Sequence, residues 1–246
     1  MEMITLNKEN IEKEHICCAI SSNNDIQVKT KKEWLLEQFD KGLVFTKMDV
    51  RGKCFIEYLP LENAWISLKG HNMMYIDCLW VAGKYQGLGY ATALLDSCIV
   101  ESKKQERNGI VILSSHKKSP YLMDYKFLIK HGFKSVDKWG DVELMYYSLN
   151  DDTEIPMFNI AESLEDGLVI YYTSQCPFNA KYTQILKDHC QNNNIPLKFI
   201  HIQSQEEALK APTPLTTYSF FYNHRFITRE VLTINKFDKI WGEINE

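Results

Sequence analysis

The stretch 81-VAGKYQGLGYATALL-95 decides how this chain is read. It leaves an apolar strand at Val81, turns through Gly87 and Gly89, and runs into an apolar helix. A helix N-terminus has unpaired backbone N–H groups and carries roughly half a unit of positive charge. Glycines at that point remove the Cβ atoms that would keep a ligand away from those groups. The layout is that of an anion-binding turn suited to a pyrophosphate. It lacks the third glycine of the dinucleotide fingerprint and the Gly-Lys-Ser/Thr of a P-loop.

Outward from this turn, the apolar run 74–81 reads as a strand, with 43–49, 53–59 and 65–68 as earlier strands and Arg51-Gly52 as a tight turn. Residues 41–81 are thus expected to form an antiparallel meander. Before it, 29–39 is an amphipathic helix with Trp34, Leu35 and Phe39 on one side. Residues 4–20 begin as a short helix or turn and end in the apolar segment 15–20. After the turn, Leu88, Ala91, Leu94, Leu95, Cys98 and Ile99 recur at helical spacing, with Asn108-Gly109 as a C-cap. A β-branched strand at 110–113 follows, then a helix over 119–131 with Pro120 in its first turn and Gly132 closing it, then a strand pair at 133–136 and 142–149.

The 246 residues are 45% hydrophobic and 24% charged, an ordinary globular composition. A net charge of −4 argues against a nucleic-acid binder. No apolar run approaches the roughly 18 residues of a membrane helix, and 1–15 has no signal-peptide core, so the expected location is cytoplasmic. Seven cysteines, an odd number without a CxxC pair or a His/Cys ligand spacing, argue against a disulfide framework and a zinc site.

With strands, turn and helix in view, residues 1–150 resemble the GNAT superfamily of N-acyltransferases. The family motif Gln/Arg-x-x-Gly-x-Gly/Ala is met by Gln86, Gly89 and Ala91. A second signature, Lys-x-Gly-Phe after a helix, is met by Lys130, Gly132 and Phe133. The resemblance implies an acetyl-CoA-dependent N-acetyltransferase, without a metal, that acts on the amine of a small molecule or peptide by direct attack in a ternary complex. It implies that backbone groups of Gln86, Gly87, Leu88, Gly89, Tyr90, Ala91 and Thr92 hold the pyrophosphate. Leu79, Trp80 and Val81 would pair with the pantetheine arm. Asp77, a charged residue inside YIDCLWV, is either the general base or the group that positions the amine, or else a hydrogen-bonded structural aspartate at a strand distortion. By period two it shares a face with Leu79 and Val81, opposite Cys78. Glu57 is a second candidate base. Relatives place a proton-donating tyrosine where this chain has Leu128; Tyr125 one turn earlier, Tyr121 another turn back, or water stands in its place. Lys117-Lys118 is either an exposed loop or a site for the 3′-phosphate.

Residues 151–167 form an acidic linker, in which Met157 and Phe158 are expected to pack on a domain. The order strand, helix, strand, helix, hairpin, helix then follows over 168–246. LVIYYTSQCPFN resembles the strand-to-helix start of a thioredoxin-like fold, and the whole chain resembles GNAT proteins that carry a YoaP-type domain. The fold class is thus α/β (α+β), a GNAT fold followed by a smaller thioredoxin-like domain. That likeness implies a cis-proline at Pro214 beside Cys176, and the helix dipole is expected to lower the Cys176 pKa. Asn179 stands where a resolving cysteine would be. The alternatives to an acetyltransferase are a thiol-binding or monothiol redox protein using Cys176, or a non-catalytic acyl-CoA sensor.

Overall fold

The computed structural model describes residues 2–117, 119, 121–150, 154–163 and 165–245. Pro120, Lys118, Asp151 and Asp152, singled out in the sequence, lie outside the described residues. The elements in chain order are β1 (Met3–Thr5), α1 (Ile26–Phe39), β2 (Val44–Met48), β3 (Cys54–Pro60), β4 (Leu68–Lys69), β5 (Met73–Val81), α2 (Tyr90–Lys104), β6 (Gly109–Ser115), β7 (Met123–Asp124), α3 (Tyr125–Lys130), β8 (Lys134–Trp139) and β9 (Val142–Ser148). They continue with β10 (Met157–Phe158), β11 (Leu168–Tyr172), α4 (Pro177–Asn192), β12 (Leu197–His201), α5 (Gln205–Leu209), β13 (Tyr218–Tyr222), β14 (Arg225–Thr228) and α6 (Ile234–Asn245).

The large sheet runs β1-β2-β3-β5-β6-β9-β8, with β7 beside β6. The expected meander is its first half: β2, β3 and β5 pair antiparallel through short connections. The segment expected as a strand at 65–68 pairs only from Leu68 onward, where β4 meets β10. Trp65 and Ile66 are buried outside any strand. The helix expected over 119–131 is confined to α3, because the Asp124 carboxylate accepts from the Phe127 N–H and caps it there.

Two features of this sheet shape the site. The β3–β5 register shifts between Glu57 and Tyr58, so that Glu57 faces Cys78 and Tyr58 faces Ile76. Asp77 is the extra residue of that bulge. The bulge inverts the expected alternation. Leu79 packs in the core cluster beneath α2, while Cys78 and Trp80 pack on the opposite face. Asp77 therefore does not share a face with Leu79 and Val81, as period two implies. The second feature is a divergence. β5 and β6 pair in parallel only from Met73–Gly109 to Ile76–Ile112. From Asp77 to Val81, β5 is held by β3 alone, and its other edge is open.

A second sheet runs β12-β11-β13-β14, with β11 and β12 parallel and the rest antiparallel. Its one face carries α4 and α6 over Leu168, Ile170 and Phe220, with Phe237 of α6 packed into the same cluster. Its other face, through Val169, Tyr171 and Phe221, joins Trp34, Trp65 and Phe45 in a single hydrophobic cluster. Buried within that junction, the Thr216 hydroxyl donates to the Trp65 carbonyl at 2.6 Å. Among the described residues no peptide bond is cis, so Pro214 is not the cis-proline expected of it. Among the described residues no helix is long and apolar enough to cross a membrane.

Candidate active site

The divergence of β5 from β6 opens a cavity of about 990 Å³. Its mouth is the glycine turn. Gly87 and Gly89 adopt φ of 77° and 79°, left-handed backbone that favours glycine. Nothing lies within 4 Å of a Cβ built on Gly87, so conformation rather than crowding demands glycine there. Gly89 is the N-cap of α2 and no side chain fills the cap, which leaves the first-turn N–H groups available to a ligand. Gln86, Gly87, Gly89, Tyr90, Ala91 and Thr92 line the cavity. Leu88 is exposed and does not line it. The Gln86 side chain donates to the Val81 carbonyl at 3.1 Å, tying the turn to the strand end. Thr92 Oγ1 lies 3.0 Å from His131 Nε2, and His131 Nδ1 lies 2.8 Å from the Phe127 carbonyl, so the first turn of α2 is braced against α3.

Deeper in the cavity is a carboxylate cluster. Lys31, on the buried face of α1 with Trp34 and Leu35, places its Nζ 2.8 and 2.6 Å from the two oxygens of Glu57. Both side chains are almost fully buried. A buried cation held by a carboxylate at this geometry is a committed ion pair. Burial alone would lower the Lys31 pKa, but Glu57 and its neighbours hold it above the usual value. Glu57 is thus occupied as a counter-ion. Asp77 sits beside it without a cation of its own. Burial, then repulsion from Glu57, raises its pKa to about 7, opposed by Lys31 and by a hydrogen bond from the Gln175 side chain. Gln175 is itself aligned by Thr217, whose hydroxyl donates to Gln175 Oε1 at 2.7 Å. Asp77 is therefore hydrogen-bonded at a strand distortion, with its carboxyl raised into the neutral range by its surroundings.

Cys176 caps α4 and lines the same cavity, with Cys18, Cys78 and Pro214. Its expected low pKa is overturned. Burial raises the thiol to about 11, although the backbone N–H groups of Phe178 and Asn179 pull it down. Cys78, expected in the core opposite Asp77, lies beside it, and burial with the charges of Glu57 and Asp77 raises its thiol far up. Tyr125 is absent from the lining and packs against His116, with ring centroids 3.8 Å apart and the planes tilted by 36°. Tyr121 does line the cavity. Tyr121 is half-exposed as a residue, but desolvation at its hydroxyl end raises the phenol to about 12, and the hydroxyl meets the backbone of Val231. Residues that the sequence reading did not single out also line the cavity: Lys31, Ser115, Gln175 and Arg229. Lys31 had a signal, since it falls on the helix face of Trp34 and Leu35. Gln175 directly precedes Cys176. Arg229 had none. Among the described residues no group of three metal-ligating side chains forms.

A sheet opened between two parallel strands, a glycine turn on a helix N-terminus and a buried carboxylate define an acyl-CoA-dependent acyltransferase. The comparisons with known proteins agree. Residues 9–133 match the model of the "Acetyltransferase (GNAT) family", and 196–239 match the "YoaP-like" model. The chain is 40% identical over 243 residues to "Uncharacterized N-acetyltransferase YoaP" of Bacillus subtilis (strain 168), covering 96% of this chain and 97% of that protein. The chain belongs to the GNAT acetyltransferase family, as an acetyl-CoA-dependent N-acetyltransferase with a YoaP-like region. Similar solved structures include the PaiA N-acetyltransferase of Thermoplasma acidophilum in complex with coenzyme A, at 19% identity and a TM-score of 0.42, covering 60% of this chain and 99% of that one. A GNAT-family acetyltransferase of Staphylococcus aureus Mu50 matches at 17% identity and a TM-score of 0.42, covering 61% and 99%.

Proposed function

We propose that this enzyme acetylates the primary amine of a small molecule, with donor and acceptor meeting at Asp77 in the cavity between β5 and β6. The observation that carries the reading is the open edge of β5 from Asp77 to Val81, which leads from the glycine turn to a buried carboxylate. The N–H groups of the turn from Gln86 to Thr92 hold the pyrophosphate of acetyl-CoA. Main-chain groups of Leu79, Trp80 and Val81 pair with the pantetheine amides.

Acyl transfer to an amine then needs three things from the protein. The amine must be neutral and in line with the thioester carbonyl, which positioning supplies. Its proton must leave as the C–N bond forms, and Asp77 accepts it. The thiolate that departs as the C–S bond breaks must be protonated. Tyr121, whose phenol keeps its proton at neutral pH and which lines the cavity, is better placed for this than Tyr125. A thiol role for Cys176 is not favoured, because a buried thiol of pKa about 11 is almost wholly protonated at neutral pH.

The test is a calorimetric titration of the intact protein with acetyl-CoA, followed by an assay for free CoA thiol on adding a panel of amines. Binding in the micromolar range and thiol release with a matching amine are expected. Absence of acetyl-CoA binding would sink the reading, and binding without release on any amine would indicate a sensor.

A further inference from the structure

The acceptor half of the cavity has a wall that donor binding does not use. It is built from Gln175, Cys176, Phe178, Thr216, Arg229 and Val231. Arg229 follows β14 directly and is only 9% exposed. Its Nη2 donates to the carboxylate of Asp141, in the β8–β9 turn. Its Nη1 is buried and finds no hydrogen-bond partner among the described residues. A guanidinium never loses its proton in a protein. Leaving one of its buried donors unmatched costs stability, and more for a charged group than for a neutral one. Asp141 answers one nitrogen only, and the planar fork is made to meet a second anion side by side.

Resting on the acetyltransferase reading, we propose that Arg229 anchors the carboxylate of the acceptor, and that the acceptor is a free amino acid. A zwitterion carries the two groups that this wall answers. Its amine goes to Asp77, whose neighbour Glu57 is already neutralised by Lys31. Its carboxylate goes to the unmatched nitrogen of Arg229. The other charged residues lining the cavity, Lys117, Asp124 and Lys130, come from the β6–α3 region and not from the acceptor wall. Arg229 is thus a specificity residue supplied by the YoaP-like part of the chain, and it distinguishes an amino acid from a plain amine.

Calorimetry on the protein saturated with CoA tests this without requiring turnover. The probes are the common amino acids, each paired with its own α-carboxamide. At least one amino acid should bind, and its amide should bind at least about tenfold more weakly. Arg229→Gln should bring acid and amide to within about twofold of each other while the affinity for CoA stays unchanged. If Arg229→Gln does not fold, Arg229→Met keeps the apolar stem and removes the charge, and the same narrowing is expected. No binding by any amino acid overturns the proposal, as does equal binding of acid and amide by the unaltered protein. Discrimination that survives in the variants also overturns it. A parallel loss of CoA affinity would assign the guanidinium to the donor's phosphates and overturn it likewise. Failure of the acetyltransferase reading shows separately, as absence of CoA binding, while the paired titration still reads the carboxylate site.

Discussion

Asp77 was visible in the sequence because a charge inside an apolar strand demands a reason. Its direction was not visible. One extra residue at the Glu57–Tyr58 register shift turns it away from Leu79 and brings Cys78 to its side, and a bulge has no signature in a run such as YIDCLWV. With a pKa raised to about 7, Asp77 gains the deprotonated form that the proposed base role needs as the pH rises through neutrality. Activity should therefore fall on the acid side with a limb near pH 7. In Asp77→Asn, kcat/KM should drop by about 100-fold or more and that limb should vanish, while acetyl-CoA affinity holds. Gln175 stabilises the carboxylate form. Removing its amide in Gln175→Leu raises the Asp77 pKa further, so the acid limb should move to higher pH in a pH–rate profile. An unmoved limb would mean that another group titrates. Cys176 shows the opposite error of sequence reading. The helix dipole was legible in CPFN, but the burial that outweighs it comes from residues far away in the chain.

At the level of elements, strands that alternate and helices with caps were legible. β2, β3, β5 and α2 stand within a few residues of their expected places, and the elements from β11 to α6 follow the expected order. The exceptions have local causes. Asp124 caps α3, which therefore starts at Tyr125, and Trp65 is buried without belonging to a strand. The divergence of β5 from β6 is a property of two elements together, and neither sequence announces it. The glycine turn was fully legible, since both the helix start and the left-handed positions are local. Gly89→Glu should abolish acetyl-CoA binding in calorimetry, because it forces a side chain onto left-handed backbone at φ 79° and sets a negative charge where the pyrophosphate is held. The circular dichroism of the variant should remain that of the parent.

For the whole molecule, the sequence suggested consecutive segments, while one hydrophobic cluster contains Phe45, Trp65, Val169 and Phe221. Contacts over such separations leave no mark in either segment, so this union was not readable. Its consequence is cooperativity, because neither sheet can be opened without exposing apolar surface of the other. Scanning calorimetry should show one unfolding transition, and Trp fluorescence and far-ultraviolet circular dichroism should give coincident midpoints. Two separated transitions would show that the regions are independent. The same union explains why the site draws on both regions: Asp77 comes from β5, and the amide that tunes it comes from the residue before the Cys176 cap.

The brace between Thr92 and His131 gives the molecule a built-in gauge. Thr92 stands in the first turn of α2, against the cavity, and its hydroxyl touches one nitrogen of an imidazole whose other nitrogen is fixed by the Phe127 carbonyl. A phosphate drawn to that turn will repolarise the hydroxyl and shift electron density in the ring. In nuclear magnetic resonance spectra of protein carrying nitrogen-15 histidine, the His131 Nε2 resonance should move on titration with CoA, and in Thr92→Val that response should be lost. Occupancy of the donor site would then be readable from a ring that does not line the cavity.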